Sequence, residues 1–196
     1  IYVDTGALYR TIGLAAYRRG IAGTDTEKII RMLSQITVGL QHQEGVQSVL
    51  LNGEDVSSDI RTPQISIYAS QVSAIPEVRA YLLDLQRQMA QKQSVIMDGR
   101  DIGTVILPHA QVKIFLTASV QARAERRCAE LREKGEQVTV QEVLADIQTR
   151  DEKDCSRSAA PLRQAEDAVC VDTSALTLEQ SIAAVLQVIR SVLEEK

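Results

Sequence analysis

Four short apolar segments, separated by longer amphipathic stretches, constrain the fold of this chain more than any other feature. They are IYVD (1–4), SVIMD (94–98), VKIFLT (112–117) and AVCVD (168–172), and three of the four end in Asp. Short apolar strands that alternate with helices are typical of a layered α/β protein. The sequence therefore predicts a buried, mostly parallel sheet with helices on its faces.

Start signals for helices lie between and after these segments. The predicted helices start at Thr5, near Thr26, at Pro76, after Ser119, after Thr139 and after Thr177. Proline is favoured in the first turn of a helix, and Thr139 with Glu142 has the spacing of a capping box. Thr177 with Gln180 has the same spacing, so both helix starts are well marked.

The stretch 36–60 breaks the alternation of strands and helices. Its apolar positions recur with a period of two, a turn is predicted at EGVQ (44–47), and Asn52-Gly53 is a hairpin turn pair. We expect a small antiparallel insert here, followed by two helices. The predicted domains are a core of residues 1–35 and 94–196 and an insert of residues 36–93.

Composition narrows the possible classes of protein. The hydrophobic content of 44% fits a globular domain, and no apolar run is long enough to span a membrane. A net charge of -4 argues against a nucleic-acid partner. The three cysteines lack metal-site spacing and are expected to be reduced thiols of a cytoplasmic protein.

Two stretches carry charged residues at predicted strand ends. DTGALYR (4–10) places Thr5 where a strand ends and Arg10 on the following helix, which suits an anion, although Thr5 could simply cap that helix and Arg10 could be solvated. In DGRDIGT (98–104), Asp98 is placed to hold Mg²⁺, Arg100 to bind a phosphate and Asp101 to accept a hydrogen bond from a base. The alternative is that Arg100 and Asp101 pair with neighbours in an ordinary loop.

Arginines also recur on the later predicted helices. Arg150, Asp154 and Arg157 are spaced i, i+4 and i+7, which predicts one helical face with two guanidinium groups for a transferring phosphoryl group. A solvated i,i+4 salt bridge is the competing interpretation. Arg123 and Arg127 share a face of the preceding helix and could reach a nucleotide, unless that face is only solvated.

DTGALYR, SQVSAIPEVR, DGRDIGT and RDEKDCSRSAAPL occur in an order and at separations that resemble the bacterial cytidylate kinases. The resemblance covers essentially the whole chain and implies a nucleoside monophosphate kinase-like fold: a parallel sheet flanked by helices with a small antiparallel β insert. It implies transfer of the γ-phosphate of ATP to CMP or dCMP, with Mg²⁺. Apart from the resemblance, we expect a monomer.

The resemblance also implies roles for individual residues. Ser70, Arg79 and Asp101 would recognise cytosine, Arg10 and Arg100 the CMP phosphate, and Asp154 the sugar hydroxyls, with Thr5 lining the acceptor site. Arg150 and Arg157, together with Arg100, would act on the phosphates during transfer. From their positions in the sequence, not from the resemblance, we expect Arg123 and Arg127 on the ATP side and Asp98 holding Mg²⁺ through water.

One departure from the family pattern concerns the phosphate loop. The family begins with a strand and a G-x-x-x-x-G-K-[ST] loop, which does not occur in this chain. We therefore expect a preceding segment of roughly 20 to 30 residues, about one strand, loop and helix. The alternatives are a truncated or inactive nucleotide-binding relative and a kinase for another nucleoside monophosphate.

Overall fold

The structure is a computed structural model and describes residues 1–43 and 46–194. In chain order its strands and α-helices are β1 (Tyr2–Asp4), α1 (Thr5–Arg18), α2 (Thr26–Leu33), β2 (Val38–Gln43), β3 (Val46–Leu51), β4 (Glu54–Asp55), α3 (Pro63–Val72), α4 (Pro76–Lys92), β5 (Ile96–Asp98), β6 (Ile114–Thr117), α5 (Val120–Glu133), α6 (Val140–Ser156), β7 (Val169–Asp172) and α7 (Leu178–Glu194). A short 3₁₀ helix covers Asp59–Arg61 and a π-helical turn covers Ile102–Ile106.

The four apolar segments of the sequence form the parallel strands. β1 pairs with β5, with Asp4 opposite Asp98, and β6 pairs with β7, with Thr117 opposite Asp172. The predicted fold class is confirmed, but the parallel strands form two separate pairs among the described residues.

These strands are less buried than the sequence predicts. Ile96 is 69% exposed, Leu116 61% and Val169 41%, whereas Val3 and Val171 are buried. A sheet of two strands offers each side chain few neighbours on its own face, so it buries less apolar surface than a wider sheet. The prediction of fully buried strands is therefore wrong for β5, β6 and β7.

The insert is confirmed as a small antiparallel sheet. β2 pairs with β3 and β3 with β4. Asn52 and Gly53 join β3 to β4 with φ of 53° and 85°, the left-handed conformations that this hairpin turn requires. The predicted turn at EGVQ falls on positions 44 and 45, outside the described residues.

The helix starts also follow their signals. Thr139 and Glu142 form a reciprocal capping box, and the backbone and side chains of Thr177 and Gln180 bond each other in the same way. Thr62, directly before Pro63, caps α3. No helix among the described residues is both long and apolar enough to cross a lipid bilayer.

The chain forms two compact units, Ile1–Ile102 and Gly103–Lys196. In the first unit a hydrophobic cluster surrounds α1, whose Leu8 and Ile12 are fully buried, and includes residues of α2, α3, α4 and the insert. In the second unit a smaller cluster of Ala124, Cys128 and Val143 joins α5 to α6. The predicted division into a core and an insert stays a prediction.

Candidate nucleotide site

The carboxyl ends of β1 and β5 lie side by side and present two carboxylates. Asp4 and Asp98 are register partners in these parallel strands. Asp4, not Thr5, caps α1 by accepting a hydrogen bond from the Ala7 backbone N–H at 3.0 Å. Its second oxygen accepts from the Arg61 guanidinium at 2.8 Å, so Asp4 also holds the 3₁₀ helix close to this strand end.

Asp98 lies in surroundings that disfavour its charge. Burial raises the pKa of the Asp98 carboxyl above its ordinary value of 3.8, and nearby Asp4 acts in the same direction. The Tyr2 hydroxyl donates a hydrogen bond of 2.9 Å to Asp98 Oδ1, which partly offsets this effect. Burial and this contact raise the pKa of Tyr2 to about 12, so Tyr2 remains a donor at neutral pH.

Thr5 ties the first turn of α1 to the chain after β5. Its buried hydroxyl donates to the Asp98 carbonyl at 2.6 Å. A side chain at Gly99 would begin 2.5 Å from Thr5 Oγ1 and 2.8 Å from Ile102 Cδ1, closer than atoms can pack. A side chain here would force Thr5 or Ile102 to move, so glycine is favoured at this position because of the close approach.

Arg10 lies partly buried between α1 and α3. Its Nη1 donates to Ser66 Oγ at 2.5 Å and to the Ile60 carbonyl at 3.3 Å. The alternative of a freely solvated Arg10 is therefore wrong. Its guanidinium is held by groups from a distant part of the chain, a contact that α-helical spacing alone did not indicate.

Arg79 and Asp101 are brought together, as the resemblance implies. Arg79 Nη1 donates to Asp101 Oδ2 at 2.9 Å, and the two side chains are only 11% and 6% exposed. The same nitrogen donates to the Tyr9 hydroxyl at 3.1 Å, and the Arg79 guanidinium lies over the Tyr9 ring, 5.4 Å from its centre. Asp101 is thus no ordinary surface-loop residue.

Ser70 and Arg100 belong to the same unit. Ser70 is partly buried near the end of α3, and its carbonyl accepts from the Ser73 hydroxyl at 3.0 Å. Arg100 is exposed in the loop after β5, between Gly99 and Asp101. The roles of both residues stay proposals.

The second unit holds Arg150, Asp154 and Arg157. Arg150 and Asp154 lie on α6, but α6 ends at Ser156 and Arg157 is its C-terminal cap with extended backbone. The prediction that all three share a helical face is therefore wrong for Arg157. Arg157 Nη1 still lies 3.3 Å from Asp154 Oδ1, and its Nε donates to the Ala160 carbonyl at 2.7 Å.

The arginines of α5 are bound by residues of their own unit. Arg123 makes a two-point ion pair with Asp151 at 2.6 and 3.2 Å, and its Nε donates to the Ala118 carbonyl at 3.0 Å. Arg127 pairs with Glu130 at 2.7 Å on the exposed side of the helix. Contact of either arginine with ATP stays a proposal.

Several residues with a place in this geometry were missed by sequence reasoning. They are Tyr9 beside Arg79, Arg61 and Tyr2 beside the strand-end carboxylates, and Asp151 beside Arg123. Tyr9 stands directly before Arg10 in DTGALYR, so its position in that motif was the only available signal. The other contacts join residues far apart in sequence, and no local pattern indicates them.

A metal ion could be held at the end of β5. No group of three or more His, Cys, Asp or Glu side chains arranged for a metal occurs within residues 1–43 and 46–194. Mg²⁺ commonly uses only one or two carboxylates together with water and substrate phosphates. Asp98 therefore fits such an ion, whereas both carboxylate oxygens of Asp4 are engaged by the Ala7 N–H and by Arg61.

Parallel strand pairs with acids and arginines after their carboxyl ends, together with a small antiparallel insert, are typical of the nucleoside monophosphate kinase class. The sequence profile of cytidylate kinases matches residues 1–191. This chain belongs to the cytidylate kinase family.

Relatives agree over nearly the whole chain. The cytidylate kinase of Syntrophotalea carbinolica is 46% identical over 189 residues, which is 96% of this chain and 80% of that protein. That of Caldicellulosiruptor bescii is 44% identical over 196 residues, 100% of this chain and 87% of that protein. That of Caldicellulosiruptor saccharolyticus is 47% identical over 193 residues, 98% and 85% of the two chains.

Proposed function

We propose that this protein transfers the γ-phosphate of ATP to CMP or dCMP, giving CDP or dCDP and ADP. Membership of the cytidylate kinase family supports the reaction class. The observation that carries the choice of base is the nearly buried pair of Arg79 and Asp101. A guanidinium donor and a carboxylate acceptor match the ring acceptors and the exocyclic amine of cytosine.

The first unit supplies the proposed acceptor contacts. Arg79, Asp101 and Ser70 bind the cytosine edge, and Arg10 and Arg100 bind the phosphate of CMP. Two guanidinium groups suit a phosphate because each offers a planar fork of donors. Arg10 is already oriented by Ser66 and the Ile60 carbonyl, so less side-chain freedom is lost on binding.

The second unit supplies the proposed contacts to the transferring group. Arg150 and Arg157 neutralise charge on the phosphates, and Asp154 accepts from the sugar hydroxyls and orients Arg157 at 3.3 Å. Phosphoryl transfer requires little covalent chemistry from a protein, so positioning and positive charge supply most of the rate. Arg123 and Arg127 are proposed on the ATP side.

Mg²⁺ is the proposed metal ion, with Asp98 as its protein ligand through water. When bound, the ion neutralises phosphate charge. The carboxylate of Asp98 is suited to holding such an ion because burial and nearby Asp4 disfavour its negative charge, which a cation would offset. Thr5 keeps the start of α1 attached at this strand end.

We also propose the cytoplasm as the compartment and a monomer as the working state. The cysteines at 128, 155 and 170 are free thiols, as in proteins of reducing compartments. All the proposed site residues come from one chain, so the proposal needs no second copy.

The test is an ADP-release assay on the full-length protein with ATP and Mg²⁺. We expect turnover of CMP and dCMP and much weaker responses to UMP, AMP and GMP. Equal turnover of all five nucleotides would contradict the base assignment. Binding of CMP without ADP release would identify an inactive relative, and preference for another monophosphate would identify a different kinase.

A further inference from the structure

Tyr9 has contacts in the first unit that the proposed roles leave unexplained. It lies on α1, partly buried, with its hydroxyl 3.1 Å from Arg79 Nη1. Its ring lies beneath the Arg79 guanidinium, 5.4 Å from ring centre to Cζ. A tyrosine placed in this way offers a hydroxyl acceptor and a negative ring face to the same cation.

Arg79 is therefore held from two directions. Its Nη1 is shared between the Tyr9 hydroxyl and Asp101 Oδ2, at 3.1 and 2.9 Å. The two acceptors come from α1 and from the loop after β5, while Arg79 itself lies in the first turns of α4. With one acceptor alone, the guanidinium could turn about that single hydrogen bond.

One further donor of Arg79, its Nε, lacks an acceptor among the described residues. This Nε is also buried. A buried donor without an acceptor is costly and calls for an explanation, such as a partner supplied by a bound molecule. Holding Nη1 by Tyr9 and Asp101 determines where the plane of the guanidinium, and so Nε, is directed.

That direction matters for telling two pyrimidines apart. Cytosine presents an acceptor at ring atom N3, where uracil presents an N–H donor. A correctly directed guanidinium donor favours cytosine and leaves two donors facing each other with uracil. A guanidinium free to turn would avoid that clash and discriminate less.

We propose that Tyr9 is a positioning residue for base selection, holding the Arg79 guanidinium in the orientation that prefers cytosine over uracil. The inference rests on the proposed function, because it assumes that Arg79 contacts the base. Tyr9 itself acts through Arg79. Its contribution should appear in nucleotide affinity and selectivity more than in kcat.

The test compares Tyr9→Phe with a matched control in the full-length protein. Tyr9→Phe removes only the hydroxyl that accepts from Arg79. Tyr81→Phe removes another partly buried hydroxyl of the same unit, which donates to the Ile36 carbonyl at 2.9 Å instead of contacting Arg79. Kinetics with CMP and UMP, titration calorimetry with each nucleotide, and Tm are measured for the parent and both variants.

We expect Tyr9→Phe to lower the CMP-over-UMP ratio of kcat/KM by about 3- to 10-fold, the range for loss of one hydrogen bond. The change should lie in KM and in calorimetric affinity, with kcat close to that of the parent. Tyr9→Leu, which also removes the ring, should lower the ratio further. Tyr81→Phe should keep the parent's ratio.

A second arm tests whether Tyr9 acts through Arg79. In an Arg79→Met background, which already lacks the guanidinium, adding Tyr9→Phe should leave the ratio unchanged. A further loss of selectivity there would overturn the inference, since Tyr9 would then act independently of Arg79.

The outcomes separate this inference from the proposed function. If the parent prefers CMP and Tyr9→Phe has the same CMP-over-UMP ratio as Tyr81→Phe, the positioning role is overturned and the proposed function stands. Equal losses with CMP and UMP, accompanied by a lower Tm, reduce Tyr9 to a structural residue and also overturn the role. A parent that neither binds nor phosphorylates CMP in preference to UMP overturns the proposed function and this inference with it.

Discussion

In the Ile1–Ile102 unit, Arg79 and Asp101 are nearly buried, whereas in the Gly103–Lys196 unit the two-point pair of Arg123 and Asp151 stays 36% and 28% exposed. The first pair lies in a unit with a large hydrophobic cluster around α1. Buried residues of six further helices and strands, the 3₁₀ helix included, belong to this cluster. The cluster that joins α5 to α6 has three buried members among the described residues. Local stability follows the amount of buried apolar contact.

This difference indicates two ways of presenting charge to a ligand. A guanidinium held by a buried carboxylate and a tyrosine has little freedom left to lose, so it suits selection of a base. Charged side chains on a lightly packed helix pair can move at small cost, and phosphoryl transfer often uses segments that close over the substrate. We expect substitutions in the first unit to change selectivity and those in the second to change kcat.

The largest expected effect is on Arg157. Arg157→Lys keeps the charge but loses the planar fork, so kcat should fall about 100-fold, as for loss of one donor to a developing charge. The KM for CMP should change much less. Arg163→Lys, at an exposed arginine in the segment after α6, is the matched control and should match the parent. A rise in KM with unchanged kcat would contradict the expectation that substitutions in the second unit act on kcat.

Substitution of Asp101 tests the expectation that residues of the first unit determine selectivity. Asp101→Asn removes the charge that holds Arg79 in a nearly buried place, and the CMP-over-UMP ratio of kcat/KM should fall about 10- to 100-fold, or 1–3 kcal/mol for one base contact. Tm should also fall, since Arg79 loses its buried counter-charge. Full selectivity in this variant would show that the buried pair serves the fold alone.

Gly99 tests how tightly the strand end is packed. In Gly99→Ala the new methyl group would begin 2.5 Å from Thr5 Oγ1, and the strain should cost about 1–3 kcal/mol of the free energy of unfolding. Chemical denaturation measures this. The control is Gly39→Ala, where the nearest atom lies 3.9 Å away. Equal stability of the two variants would mean that the contact between Thr5 and the β5 end is loose.

Substitution of Asp98 should have the smallest effect, and it should raise stability, whereas the substitution of Gly99 lowers it. The raised pKa of Asp98 means that the fold disfavours its ionised form, so this group's contribution to stability improves as pH falls through that raised pKa toward 3.8. Asp98→Asn keeps an acceptor for Tyr2 and should raise Tm slightly at pH 7. The gain should shrink toward pH 4. A lower Tm at pH 7 would show that the carboxylate stabilises the strand end.

Local patterns determined much of this protein without any tertiary information. The four apolar segments became the parallel strands, Asn52-Gly53 became a hairpin turn, and Thr139 with Glu142 became a capping box. Each is decided by residues close in sequence, through side-chain periodicity, left-handed backbone or a cap three residues away. That Arg79 and Asp101 belong to one site was implied by the resemblance, since no local spacing joins residues 22 positions apart.

Tertiary structure alone decided which groups surround those residues. Thr5, for which capping of α1 was the alternative, instead donates to the Asp98 carbonyl, 93 positions away in sequence. Arg157 left the predicted helical face because α6 ends one residue earlier. Tyr9 met Arg79 across 70 positions of sequence. Contacts at such separations depend on how whole elements pack, and periodicity within one element carries no information about them.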